Sequence, residues 1–258
     1  MNETFALILI GLLGLLSGFF VNYIIEWFYI RRNFLEQENV QEISEKGWFT
    51  YIFSPWSIST CPTIKRFRII FLHFLFIALA IWLWIAPPPK VAFWWGFGWL
   101  VYFIIVIVMD LEYRVVLHPI SIAGAVLGLA FGIWFHGLVD ALIGGIVGFG
   151  VMYVFYLLGG LYIRWQSKRR GEDIDEIALG FGDVNIAGVI GLILGWPGIV
   201  LGLVIAILTG GAVSILYLLF MVITRRLKAF SAIPYAPFLI LSTFILLYFR
   251  VFLDQLVN

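Results

Sequence analysis

The stretch VAFWWGFGWLVYFIIVIVM, residues 91–109, holds nineteen residues without a charge and runs directly into Asp110. A helix of that length rises about 28 Å, close to the roughly 30 Å of a bilayer's hydrocarbon core. It reads as a membrane-spanning helix with a carboxylate at its end. Working outward, the same pattern recurs. Apolar runs bounded by charged residues or by Pro and Gly lie at 5–30, 69–86, 119–135, 139–163, 184–194, 198–223 and 234–252. The run at 184–194 is short and rich in glycine, so it spans only with help from its neighbours. Glu3 precedes the first run, with no basic segment or small-residue cleavage site, and that run reads as a retained helix rather than a signal peptide.

Composition agrees. Of 258 residues, 63% are hydrophobic and 12% charged, against about 45–50% and about 25% in soluble domains. A mean hydropathy of +1.05 makes lipid the main solvent. Soluble enzymes, disordered regulators and secreted disulfide scaffolds are excluded. The single cysteine, Cys61, leaves no internal disulfide and no Cys-only zinc site. His73, His118 and His136 are scattered at no metal-ligating spacing. A net charge of +1 gives no footprint for nucleic acid.

The basic residues orient the spans. Arg31, Arg32, Lys46, Lys65, Arg66 and Arg68 follow the first run and Arg114 the third. Arg164, Lys168, Arg169 and Arg170 follow the fifth, and Arg225, Arg226 and Lys228 the seventh. Fourteen of the sixteen Lys and Arg thus fall on one side, with only Lys90 and Arg250 on the other. The positive-inside rule makes that side cytoplasmic. The expectation is an all-α polytopic membrane protein of about eight transmembrane helices, both termini outside, with a long first cytoplasmic loop from Asn33 to Arg68. A second polar loop is expected from Arg164 to Phe181. Its acidic run Glu172, Asp173, Asp175 and Glu176 reads as solvated, or as an attractor for a basic peptide.

An ionised side chain inside a bilayer costs about 2.5–3.5 kcal/mol or more, so each one needs a reason. Asp140 reads as a helix-start residue near water. Glu26 lies on the same helix face as Asn22 and is open to pairing with an Arg or to snorkelling. Asp110 and Asp183 differ. The topology puts both at cytoplasmic helix ends, where they are free to meet. Two adjacent carboxylates share one proton, so one serves as general base on a water while the other serves as acid. Gly180 and Gly182, three and one residues before Asp183, let a chain approach closely. A glycine-rich helix start with a dipole-favoured Asp explains the same residues.

Four segments together resemble the type IV prepilin peptidases, intramembrane aspartic proteases with a G-x-G-D signature. MDLEYRVVLHPISIAG (109–124) is similar to the family's first catalytic segment, and GFGDVNIAGVIGLILGW (180–196) to its second. AIPYAPFL (232–239) resembles the I-P-F-G-P-F-L stretch before the last helix, and GLLSGFFVNYIIEWFYIRR (14–32) the N-terminal helix. The resemblance implies Asp110 and Asp183 as the catalytic pair, with Gly180, Gly182, Glu112 and Asn185 in the motifs around them. Glu112 orients substrate or water, or is a solvated loop charge. Pro234 and Pro237 are implied near the substrate. It divides the chain into an N-terminal region, 1–90, and a peptidase core of about six transmembrane helices, 91–258.

The implied partners are the lipid bilayer and prepilin or pseudopilin precursors, cut at the cytoplasmic face of the inner membrane behind a basic leader. No nucleic acid is implied, and oligomeric state is not legible. The peptidase needs no cofactor and no metal. Many family members carry two C-x-x-C pairs in the first loop; here STCPTIKRF keeps only Cys61. Where the family has (K/R)-R-Y-P-L-V-E, this chain has Lys65 through Phe71 without the carboxylate. S-adenosylmethionine is therefore implied only if N-methylation is retained. Asn185 stands where a Lys is common, which predicts an altered pH dependence. From a different class, a transporter or proton-coupled channel would use the same buried acids as a relay. A catalytically silent homologue is a third reading, which the intact pair of aspartates opposes.

Overall fold

Long apolar runs free of proline form helices wherever they occur in this chain. The computed structural model describes residues 3–35, 63–88, 91–114, 116–170, 179–224 and 234–249. Among them it is all-helical, with eight α-helices and no strand. They are α1 Glu3–Leu35, α2 Thr63–Ile85, α3 Phe93–Tyr113, α4 His118–His136, α5 Leu138–Arg170, α6 Phe181–Leu194, α7 Gly198–Ile223 and α8 Ala236–Tyr248. Six are long and apolar enough to cross a membrane; α6 and α8 are shorter apolar helices.

The apolar runs locate the helices but understate their length. α1 continues past Asn33, and α2 starts at Thr63, six residues before the expected span. α5 continues through the basic segment expected to be loop and ends at Arg170. Its last turns are held locally, with the Arg169 guanidinium 4.6 Å over the Trp165 ring four residues earlier. The last helix corrects the reading in the other direction. It ends at Tyr248 with Phe249 as its C-cap, not at Phe252. Cys61, the aromatics around Trp48–Trp56 and the acidic run Glu172–Glu176 lie outside the described residues.

The chain forms two compact units, Met1–Ile105 and Val106–Asn258. In the first, α1 packs along α2. A Cβ at Gly14 would lie 2.6 Å from the Phe76 carbonyl oxygen, and one at Gly18 2.9 Å from the His73 Cα, so the two backbones touch. Polar groups line this seam. The Asn22 Nδ2 donates to the Gly18 carbonyl, and Phe19 sits edge-on to His73. Glu26 finds the partner its position called for, with Arg68 Nη2 at 2.6 Å from its Oε1.

In the second unit α4 and α5 form a hairpin joined by one residue. Gly137 has φ +90°, open to glycine alone among common residues at little strain. α6 packs into this hairpin, most extensively against α5. Gly144 and Gly191 face each other so closely that a Cβ on either would fall on the other's main chain. The end at Gly137 is tied by polar contacts: the Trp196 N–H donates to the Asp140 carbonyl, and His136 Nε2 lies 3.0 Å from the Ile193 oxygen. α8 packs on α7 and α6, and its buried Ser242 and Thr243 hydroxyls are satisfied by the Leu239 carbonyl one turn back.

Candidate functional site

Asp110 rides on the last turn of α3, which continues to Tyr113 rather than stopping at the acid. Arg114 ends the helix. It adopts a left-handed φ of 51°, and its N–H donates to the Asp110 carbonyl. The chain then extends through Leu117 into α4. Asp183 sits in the first turn of α6, three residues after the N-cap Gly180. Its carboxylate reaches back to the Gly180 main chain, as an acidic residue does at the third position of a capping box. Both side chains are buried, at 6% exposure for Asp110 and 8% for Asp183.

The two glycines of the G-x-G-D run differ in what they do. A Cβ at Gly182 would stand 2.7 Å from the Val116 Cβ, so the start of α6 lies directly on the segment leaving α3. Only a residue without a side chain permits that approach, and the approach draws the two acid-bearing segments together. A Cβ at Gly180 would meet nothing closer than the Asp183 Oδ2, at 3.5 Å, an ordinary contact. Gly180 also has a φ of −72°, which any residue adopts.

A third segment completes the site. The start of α8 lies beside both acids, with the main-chain N–H of Ala236 bearing electrostatically on Asp110 and Asp183. First-turn N–H groups have no acceptor within their own helix, and the helix dipole favours negative charge beside them. The Asp110 charge bears directly on Asp183, so the two carboxylates are neighbours. One oxygen of each remains buried with no hydrogen-bond partner, Asp110 Oδ2 and Asp183 Oδ1. Among the described residues neither acid forms an ion pair. Each carboxylate thus keeps one buried oxygen open to a proton, a water or a substrate.

Of the residues singled out in the sequence, Asp110, Asp183, Gly180 and Gly182 come together here. Pro234 and Pro237 flank the Ala236 donor, Pro237 within the first turn of α8. Asn185, half-buried on α6, lines a cavity that also includes His118. Glu112 does not join the acids. It is exposed, and two residues along a helix turn it about 200° from Asp110.

Ala236 was missed by reasoning on side chains, because its contribution is a main-chain N–H. A signal was present: a proline just inside a helix marks the helix start, and the residue before Pro237 supplies a free donor there. Tyr235, the N-cap of α8, was missed as well; its ring packs where a Cβ at Gly210 of α7 would lie 3.1 Å from its Cε2. Among the described residues no group of three or more His, Cys, Asp or Glu is arranged to hold a metal.

The model of the type IV leader peptidase family matches residues 97–215, a segment that contains both acids. No curated protein and no solved structure gives a match.

Proposed function

From the match of its 97–215 segment to the type IV leader peptidase family, we infer that this chain is a membrane-embedded aspartic endopeptidase that removes the leader of prepilin-like or pseudopilin precursors. The family supplies the general role of a leader peptidase. The observation that carries the aspartic mechanism is the burial of both carboxylates within reach of each other's charge, beside the Ala236 N–H at the start of α8. A pair so placed holds one proton between its two acids.

In that arrangement the ionised carboxylate takes a proton from a water as the water's oxygen bonds to the scissile carbonyl carbon. The protonated partner gives its proton to the carbonyl oxygen. As the tetrahedral species collapses, that proton returns to the partner acid, the first acid passes the water's proton to the nitrogen, and the C–N bond breaks to release the amine. The site needs no cofactor for this. The eight helices read as eight spans, with α6 and α8 completing their crossings through flanking residues. Both termini then lie outside, and the acids lie toward the cytoplasmic face of the inner membrane, where a basic leader would sit. N-methylation with S-adenosylmethionine is not part of the reading, since the first loop lacks the paired cysteines and keeps only Cys61.

The test is mass spectrometry of the N-terminus of a prepilin-like precursor after incubation with the full chain in proteoliposomes. A single cut between leader and apolar helix, without a 14 Da methyl increment, is the expected result. No cut, together with proton flux that disappears in Asp110→Asn, would move the assignment to a proton-coupled transporter.

A further inference from the structure

Tyr235 is the N-cap of α8 and immediately precedes Ala236, whose N–H stands beside both acids. The surroundings of its ring fix its place. A Cβ at Gly210 of α7 would lie 3.1 Å from the Tyr235 Cε2 and 3.4 Å from the Phe238 Cδ2. The Tyr235 and Phe238 rings are 6.1 Å apart and tilted by 52°. The space a side chain at Gly210 would take is thus where both rings settle. The phenol is held between α7 and the first turn of its own helix.

The far end of the side chain lies toward the acids. The Asp183 charge bears on the Tyr235 phenol, and Tyr235 is only half-buried. Among the described residues no hydrogen bond joins the two groups, and the Asp183 Oδ1 has no hydrogen-bond partner. A phenol is protonated at neutral pH and donates one hydrogen bond. A donor and an open carboxyl oxygen that sense each other without bonding leave room between them for a third polar group. The ring alone suffices to pack against Gly210. AIPYAPFL keeps the aromatic of the I-P-F-G-P-F-L pattern it resembles and adds a hydroxyl to it.

Resting on the leader-peptidase reading, we propose that Tyr235 is a further catalytic residue, whose hydroxyl donates a hydrogen bond to the carbonyl oxygen of the peptide being cut. That oxygen has two lone pairs. One takes the proton given by the acid, and the other accepts from the phenol, which keeps its own proton throughout. Negative charge gathers on the oxygen as water adds to the carbon. The hydrogen bond is therefore stronger in the transition state than in the bound substrate, and that difference is what raises the rate. The ring's seat between α7 and α8 orients the donor before substrate arrives.

The experiment measures cleavage of a prepilin-like precursor by the full chain in proteoliposomes. Tyr235→Phe removes the hydroxyl and leaves the ring. Its kcat should fall about tenfold, the low end for one hydrogen bond to a charged group, with KM within twofold and thermal unfolding unchanged. A kcat within twofold of wild type overturns the proposal, and so does a loss carried by KM alone.

Gly210→Ala crowds the ring and supplies a second reading. It should lower kcat about threefold in the wild-type chain and change nothing in Tyr235→Phe, because the hydroxyl it displaces is already gone. Equal losses in both backgrounds would make the ring the part that matters, and would overturn the proposal. Full activity in Tyr235→Phe beside an inactive Asp110→Asn defeats this inference alone. Absence of cleavage by the wild-type chain defeats the peptidase reading, and this inference falls with it.

Discussion

Glu26 and the pair Asp110–Asp183 are acids in apolar surroundings, resolved in opposite ways. In the first unit the Glu26 carboxylate meets the Arg68 guanidinium at 2.6 Å, and Arg68 is itself 7% exposed. Charge is cancelled by charge, and the result ties α1 to α2. In the second unit neither aspartate forms a salt bridge among the described residues, though the Arg114 charge bears on Asp110. The Ala236 N–H stands beside both, and one oxygen of each is left open. A carboxylate neutralised by a guanidinium has no use for a proton, whereas a pair of carboxylates must trade one. On the proposed reading, the same residue chemistry is structural in one place and reactive in the other because of what stands opposite it.

That contrast can be broken from either side. The largest effect is expected at the pair: Asp110→Asn or Asp183→Asn alone should lower precursor cleavage by about a thousandfold or more, with the folded yield in membranes unchanged. The wild-type rate should fall on both the acid and the alkaline side of one optimum, since the pair is active only with a single proton. A variant that cleaves normally would show that its acid is as inert as Glu26.

The next largest is Arg68→Met, which strands the Glu26 charge. Removing one member of a buried ion pair costs about 3–5 kcal/mol, and the partial exposure of Glu26 puts this one near the lower end. Thermal unfolding in detergent should show the loss, and adding Glu26→Leu should recover most of it. The pH profile of cleavage should not move; a shift would mean that the Glu26–Arg68 pair also takes part in chemistry.

Smaller again is Gly182→Ala. Its added methyl meets Val116, and overpacking of that kind costs about 1–3 kcal/mol, here read as about a tenfold loss of kcat. Val116→Ala in the same chain should restore it, while Gly180→Ala stays within twofold of wild type. Smallest is Glu112→Gln, expected to change cleavage less than twofold because its side chain faces away from the acids.

Much of this was legible in the sequence, and the parts that were not share a cause. Runs of uncharged residues located the eight described helices, because a bilayer leaves the backbone no other way to satisfy its N–H and C=O groups. They did not set the helix ends. The turns from Arg164 to Arg170 are polar but remain helical, since polar side chains extend a helix into water at little cost. At the site, Asp110 and Asp183 stood out because charge is scarce in apolar sequence. Gly182 stood out for its neighbour, but that it and not Gly180 makes the close approach depends on Val116, far away along the chain. Ala236 carries no unusual side chain at all, and a main-chain donor can be recognised only when its acceptors are in view.

Among the described residues, the two shortest helices are the two whose first turns stand at the site. Fourteen residues in α6 and thirteen in α8 give rods of about 21 Å and 20 Å, some 10 Å less than the hydrocarbon they stand in. Lipid beside such stubs must thin or cede its place to solvent. The dimple this makes would carry bulk water down to the depth of the aspartates, so the reagent for hydrolysis arrives through a defect that the protein imposes on its own bilayer.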